Sequence, residues 1–277
     1  MDDTSPRAKS GARLRPFHIP YNVAYRLWML VWLSLVVLFF SGWTLSAGFF
    51  EIRTISLDWG FIGTWWRFIS QGVIITIGVA LVSIGGATIL ALLSSLAYLS
   101  RIAPLSSLAG LYVSLFRGTP LFLQLLFVYL ALPQVGIVLE PFTAAAITLS
   151  MNYGAYMSEI FRAGIQAVGQ GQREAAHALG MTSAQTMRRI VLPQAFRIIL
   201  PDIGNQFIAL QKDTSLASAI TLTELAGRAR QAGAPRLRLL EALIVAAAWY
   251  WLLTILFSFL QEWLERRMAR ADRKPHA

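Results

Sequence analysis

Long apolar stretches without a charge recur along this chain, separated by short segments rich in arginine. A hydrocarbon core takes roughly 20 apolar residues per helical crossing. Stretches of that length or more run from Arg26 to Glu51, Arg67 to Arg101, Arg117 to Glu140 and Glu241 to Glu262. A shorter one lies between Glu140 and Glu159, and another, about 192–222, is interrupted by charge. The pattern predicts an all-α membrane protein of about six transmembrane helices. Five spans are placed at about 25–48, 70–99, 141–160, 193–220 and 241–263, and the remaining one ends near Leu132.

The punctuation of the pattern adds detail. Pro120 follows Arg117-Gly118-Thr119 and marks a helix break, because proline has no N–H and disfavours a helical residue before it. Gly85-Gly86 lies inside the second span and reads as close helix packing or a bend. Between the fourth and fifth spans, about 165–193, two short helical runs are expected, Gln172 to Leu179 and Ser183 to Val191. Gly180 separates them at a helix C-terminus that requires positive φ. Thr182, three residues before Gln185, predicts a capping box for the second run, and Pro193 marks re-entry into the membrane.

The fifth span carries a polar stripe. At 3.6 residues per turn Asp202, Asn205, Gln206, Lys212 and Asp213 fall on one side, with Thr214 following. A charge at mid-membrane costs roughly 2.5–3.5 kcal/mol on insertion scales, so such a stripe faces protein or a watery cavity. Two readings stand: the stripe lines a path or its gate, or it pairs structurally with another subunit. Asn152 and Tyr153, about two turns inside the fourth span, are candidates for touching a solute. Glu159 and Arg162 share a helix face, which favours an ion pair slightly over direct solute contact. Thr119 and Gln124 are further path candidates, with helix packing as the alternative.

Composition supports lipid as the main covering: 56% of the 277 residues are hydrophobic and only 14% charged. With no cysteine, disulfides and thiolate sites are excluded. His18, His177 and His276 fit no metal-ligand spacing. The net charge of +10 sits beside the spans rather than interleaved with aromatics, so no nucleic-acid partner is expected. Residues 1–24 form a basic arm and 264–277 a basic tail, and the positive-inside rule places both termini in the cytoplasm. Arg228, Arg230, Arg236 and Arg238 depart from that rule, since their loop is expected outside. The first span reads as a retained anchor in preference to a cleaved signal ending near Leu45-Ser46-Ala47. No phosphate loop, HExxH or GxSxG motif is present, so neither ATP hydrolysis nor intramembrane catalysis is assigned to this chain.

The run Glu174-Ala175-Ala176, then Gly180, then Ile190-Val191-Leu192-Pro193 resembles the EAA loop of permease subunits of ATP-binding-cassette (ABC) importers. Arg117-Gly118-Thr119-Pro120-Leu121, Gly154-Ala155-Tyr156, the stretch Glu159 to Ile165 and Lys212 to Leu216 extend the resemblance to polar amino acid importers of the histidine, arginine and glutamine type. It covers about 70–263 and implies a five-helix type I core with one helix, about 25–48, added in front. The resemblance further implies that Glu174, Ala175, Ala176, Gly180, Ile190, Leu192 and Pro193 couple to a separate ATPase. Two ATPase subunits would use ATP and Mg, with no cofactor bound by this chain. A second permease, identical or related, an extracytoplasmic solute-binding protein and a bacterial cytoplasmic membrane complete the expectation. A secondary transporter or channel is the rival class, and an opine or other small nitrogenous solute the rival cargo.

Overall fold

A computed structural model of the chain describes residues 21–47, 50–100 and 102–272. Most of the basic arm and the end of the tail lie outside the described residues. The chain divides into two units, Met1–Asp58 and Trp59–Ala277.

In the first unit, α1 (Tyr21–Phe39) is followed by an antiparallel hairpin, β1 (Thr44–Ala47) and β2 (Phe50–Arg53), in which Thr44 faces Arg53. The span expected to reach residue 48 therefore stops at Phe39. The reason is local: the Ile55 N–H donates to the Phe39 carbonyl at 2.9 Å and the Gly42 N–H to Ile55 at 3.0 Å, which clips the hairpin to the helix end.

The second unit is helical. α2 (Trp59–Ser70) runs almost without interruption into α3 (Gly72–Leu99), so the segment expected as an external connection is a helix. There follow α4 (Ala103–Gly118), α5 (Leu121–Ala131), α6 (Pro141–Ala167), α7 (Gln170–Ala178), α8 (Ser183–Thr186), α9 (Leu192–Asp213), α10 (Leu225–Gly233) and α11 (Leu239–Asp272). A 3-10 stretch, Thr214–Ile220, takes over where the fifth span was expected to continue as α-helix. At the other end, α11 carries the helix into the basic tail, where Arg266 pairs with Glu262 at 2.9 Å one turn away.

Among the described residues, Trp59–Leu99 and Leu239–Met268 are long and apolar enough to cross a bilayer, and α4 with α5 through Val135 makes a third candidate bent by 107°. The six crossings expected from charge-free stretches are not reproduced by this criterion. α6 and α9 are long, at 27 and 22 residues, yet polar side chains interrupt their apolar surface.

α3 and α6 run side by side in the same direction, along a seam of small residues. Ser83 Oγ lies 3.4 Å from the Ala146 carbonyl, and Ser150 Oγ donates to the Ser83 carbonyl at 3.2 Å. A Cβ on Gly86 would stand 2.5 Å from Ser150 Oγ, whereas one on Gly85 meets nothing within 4 Å. Of the expected glycine pair, Gly86 makes the close approach. α9 runs back antiparallel to α6, since Gly164 abuts Ile199 while Tyr153 reaches Asp213. The α7–α8 loop thus lies at one end of the unit and α10 at the other.

At that second end a buried carboxylate gathers three elements. Glu224 is fully buried and caps α10, accepting from the N–H groups of Ala226 at 2.9 Å and Gly227 at 2.7 Å. The Tyr250 hydroxyl of α11 donates to it as well, and Thr76 of α3 accepts from the Leu225 N–H at 3.3 Å. The arginines that departed from the positive-inside pattern are anchored nearby. Arg228 donates to Gln71 at 2.8 Å and lies over Phe68, and the Arg236 guanidinium is 3.8 Å from the Trp65 ring centre.

Gly72 has no room for a side chain, because a Cβ there would stand 2.6 Å from the Leu225 backbone nitrogen. Gly72→Ala should therefore destabilise the purified protein by about 1–3 kcal/mol, the usual range for overpacking. Gly63→Ala, facing open space in the middle of α2, should not lower Tm and should raise it slightly, because alanine favours a helix by about 0.5–1 kcal/mol over glycine. Thermal unfolding of the two variants in detergent checks the difference.

Candidate translocation cavity and coupling elbow

Both features of the site arise where helices stop. α4 ends at Gly118, Thr119 and Pro120 adopt extended backbone, and α5 starts at Leu121. The last carbonyls of a helix have no partner within it, and lipid offers none. Here side chains take that place. Thr119 Oγ1 donates to Leu115 at 2.8 Å, and Gln124 Nε2 lies 2.9 Å from the Phe116 carbonyl and 3.0 Å from that of Thr119. Asn152 of α6 donates to Gln124 Oε1 at 2.9 Å and to Phe116 at 3.2 Å. Gln124 is buried behind the break, and its role is to hold the break open.

The break forms one wall of a cavity of about 460 Å³. Thr119, Asn152, Tyr153, Gln206 and Asp213, all expected from the sequence, line it. Arg117 and Tyr156, quoted within the family motifs but not as path candidates, line it too. The available signal was Arg117 itself, a charge placed immediately before a helix-breaking sequence inside an apolar region. Tyr153 donates its hydroxyl to Asp213 Oδ2 at 2.7 Å, joining α6 to the end of α9. Arg117 pairs with Glu159 and lies 5.4 Å from the Tyr156 ring centre.

The polar stripe of α9 does not act as one surface. Asp202 lines a separate groove with Glu159, and Asn205 accepts from Gln261 of α11 at 3.2 Å. Lys212 is exposed and outside the cavity, and Thr214 is buried, donating to the Gln211 carbonyl at 2.9 Å. The regular 100° step separates Lys212 from Asp213, while Pro201 and the packing of α11 divide the earlier part of the stripe. The expected Glu159–Arg162 pair is also corrected. Glu159 reaches across to Arg117, and Arg162 instead donates to Gln166 at 3.2 Å and lies over Tyr98.

The elbow is formed by α7 and α8. Gly180 has φ +76°, and the N–H groups of Gly180 and Met181 return to the carbonyls of His177 at 2.9 Å and Ala176 at 3.1 Å. This paired 5→2 and 6→1 ending satisfies the last carbonyls of α7 and turns the chain sharply. Thr182 and Gln185 then complete a capping box in both directions, at 3.3 and 2.9 Å. The alanines divide: Ala176 is buried, whereas Glu174 and Ala175 face outward. Leu179, at the corner, is 83% exposed. Ile190 sits in a π-helical turn, Met187–Val191, that leads into Leu192 and Pro193 at the start of α9. The elbow and the cavity are thus the two ends of one helix.

A family model described as binding-protein-dependent transport system inner membrane component matches residues 87–270. The chain belongs to this family. It is 43% identical over 208 residues to the L-cystine transport system permease protein TcyB of Bacillus subtilis, covering 75% of this chain and 89% of that one. Identity to the glutamine transport system permease protein GlnP of Escherichia coli is 34%, covering 77% and 99%. A solved structure described as an amino acid ABC transporter with histidines superposes with TM-score 0.71 at 37% identity, covering 77% of this chain and all of that one. The MetNI methionine ABC transporter, at 21% identity and TM-score 0.62, shares the fold. The permease is therefore an all-α membrane transport component of the ABC importer kind, as the motif pattern implied.

Gln124→Leu tests the break. It removes the donor to the Thr119 carbonyl, while Asn152 still reaches Phe116, and the orphaned carbonyl costs about 1–3 kcal/mol. The variant should insert into membranes, unfold at lower temperature than wild type and lose the geometry of the cavity. Thermal unfolding together with transport checks this.

Proposed function

We propose that this permease carries amino acids, and that the cavity between α4, α5, α6 and α9 is a station on their path. The observation that carries this reading is that Arg117 and Asp213, opposite in charge, line one cavity. A zwitterionic amino acid presents a carboxylate and an ammonium group, each of which loses hydration on entering a low-dielectric site. Arg117 offers the fork that matches the carboxylate, and Asp213 with Tyr153 offers acceptor capacity to the ammonium. Glu159 holds Arg117 in the absence of cargo, so an arriving carboxylate competes with Glu159 for the guanidinium. The amino acid cargoes named for the permease relatives support the same assignment.

Coupling follows from the elbow. Two ATPase subunits, holding ATP and Mg²⁺, dock on α7 and α8 at the cytoplasmic face, with Glu174 and Leu179 presented to them. A second permease chain, identical or related, completes the path. A solute-binding protein delivers cargo at the opposite end, and both termini lie in the cytoplasm. When the ATPases close, the elbows move together and α9 transmits that motion to Asp213 and the cavity. Its 22 residues span about 33 Å at 1.5 Å per residue, enough to join an interface to a site deep in the membrane.

Two substitutions separate coupling from cargo. A Cβ at Gly180 meets nothing within 4 Å, so Gly180→Val acts through backbone conformation alone and costs about 1–2 kcal/mol in the elbow. The variant, reconstituted with its ATPase, should insert normally and lose cargo-stimulated ATP hydrolysis; normal stimulation would remove the elbow from the coupling path. Asp213→Asn conserves volume and keeps an acceptor for Tyr153. Uptake measured with a panel of radiolabelled amino acids should fall by about tenfold or more, with Tm unchanged, as expected for a charge-assisted contact. A large drop in Tm, equivalent to the roughly 3–5 kcal/mol of a broken buried charge pair, would make Asp213 structural instead.

A further inference from the structure

Among the described residues one helix-ending motif occurs four times, twice on glycine and twice on a residue with a side chain. At Gly136, Gly180, Thr221 and Leu237 the chain takes a left-handed residue, with φ of +85°, +76°, +66° and +55°. Each time the N–H of that residue bonds back three positions and the next N–H five positions. Glycine suits this place because it has no Cβ, and a leucine there is strained. Leu237 is moreover 93% exposed, so its side chain gains nothing from packing within the chain.

The turn that presents it is firmly built. The Leu237 N–H donates to Ala234 at 3.3 Å and that of Arg238 to Gly233 at 2.9 Å. A Cβ on Gly233 would stand 2.7 Å from the Arg238 carbonyl, so the turn closes only on glycine there. Pro235 fixes its own φ. The neighbouring arginines fold back: Arg236 lies over Trp65 and donates to Ala232 at 2.9 Å, and Arg238 pairs with Glu241 at 3.3 Å. Leu237 is left as a rigid apolar knob between the Trp65-stacked Arg236 and the Arg238–Glu241 pair, at the end of the unit opposite the coupling elbow.

We propose that Leu237 is an anchor that inserts into an apolar pocket of the solute-binding protein, with a carboxylate beside that pocket facing Arg236. This rests on the reading above that a binding protein docks at the end remote from the elbow. The family's own description names dependence on a binding protein, and a preorganised, exposed apolar residue on a built turn is suited to enter a pocket on such a partner. The positive charge of Arg236 beside it favours an acidic rim.

The test uses the wild-type transporter assembled with its ATPase in nanodiscs and a cargo-loaded solute-binding protein chosen because it stimulates ATP hydrolysis. Leu237→Asn keeps the left-handed turn, which asparagine tolerates, and removes the knob. The binding-protein concentration for half-maximal stimulation should rise about tenfold or more, the scale of a hot-spot residue, while basal hydrolysis and Tm stay at wild-type values. Leu237→Met, apolar and of similar reach, should titrate like wild type. An unchanged titration for Leu237→Asn overturns the anchor and leaves the transporter reading intact. If no binding protein stimulates even the wild-type complex, both readings fall. A lipid role is the rival outcome: Leu237→Trp fluorescence quenched by brominated lipid in the absence of binding protein would place the knob in the bilayer and overturn the proposal.

Discussion

Lipid supplies no hydrogen bonds, so every backbone group that leaves a helix inside the membrane must find its partner within the protein. That constraint organises this permease around the break between α4 and α5. The carbonyls at Leu115, Phe116 and Thr119 are met by Thr119, Gln124 and Asn152, and those side chains converge from the break itself, α5 and α6. Once gathered there, they define a polar wall, and the cavity follows from it. Arg117 stands at the break because the same local polarity and the Glu159 carboxylate make a charge tolerable at that place. The candidate cavity is thus built from the groups that repair an interrupted helix.

The remainder of the unit holds that break in position. The small-residue seam between α3 and α6 brings backbones close, and Gly86 and Ser150 leave no slack between them. Such a seam fixes α6, and α6 carries Asn152, Tyr153 and Glu159. At the far end the Glu224 carboxylate ties α10, α11 and α3 together through full burial and complete hydrogen bonding. A buried acid so well partnered is costly to disturb, which makes that end a fixed frame. The opposite end is different in kind. Its elbow is outward-facing, with Leu179 exposed at the corner, and closed by backbone turns and caps.

α9 connects the two regimes. It begins beyond the π-helical turn of the elbow and ends at Asp213, whose carboxylate accepts from Tyr153. Gln261 of α11 donates toward the Pro201 carbonyl at 3.1 Å, which ties α11 to α9 beside its internal proline. A displacement at Leu192 and Pro193 has a short, continuous route to the cavity.

Sequence alone determined what depends on neighbours along the chain. The charge-free stretches gave lipid as solvent, and Gly180 with Thr182 and Gln185 gave the elbow to the level of individual hydrogen bonds, because turns and caps are local. Thr119, Asn152, Tyr153, Gln206 and Asp213 were legible as polar positions in apolar helices, since such positions are costly unless they face one another or water. The tertiary structure decided which of them meet. Periodicity placed Asp202, Asn205, Lys212 and Asp213 on one stripe, yet the packing of α6 and α11 against α9 sent them to four different surroundings. It also gave Glu159 a partner 42 residues away in place of the arginine one turn on, because a contact between helices is invisible to a pattern within one. The burial of Glu224 was hidden for the same reason: it depends on Tyr250 of α11 and on α3 at Thr76 being brought to it by folding.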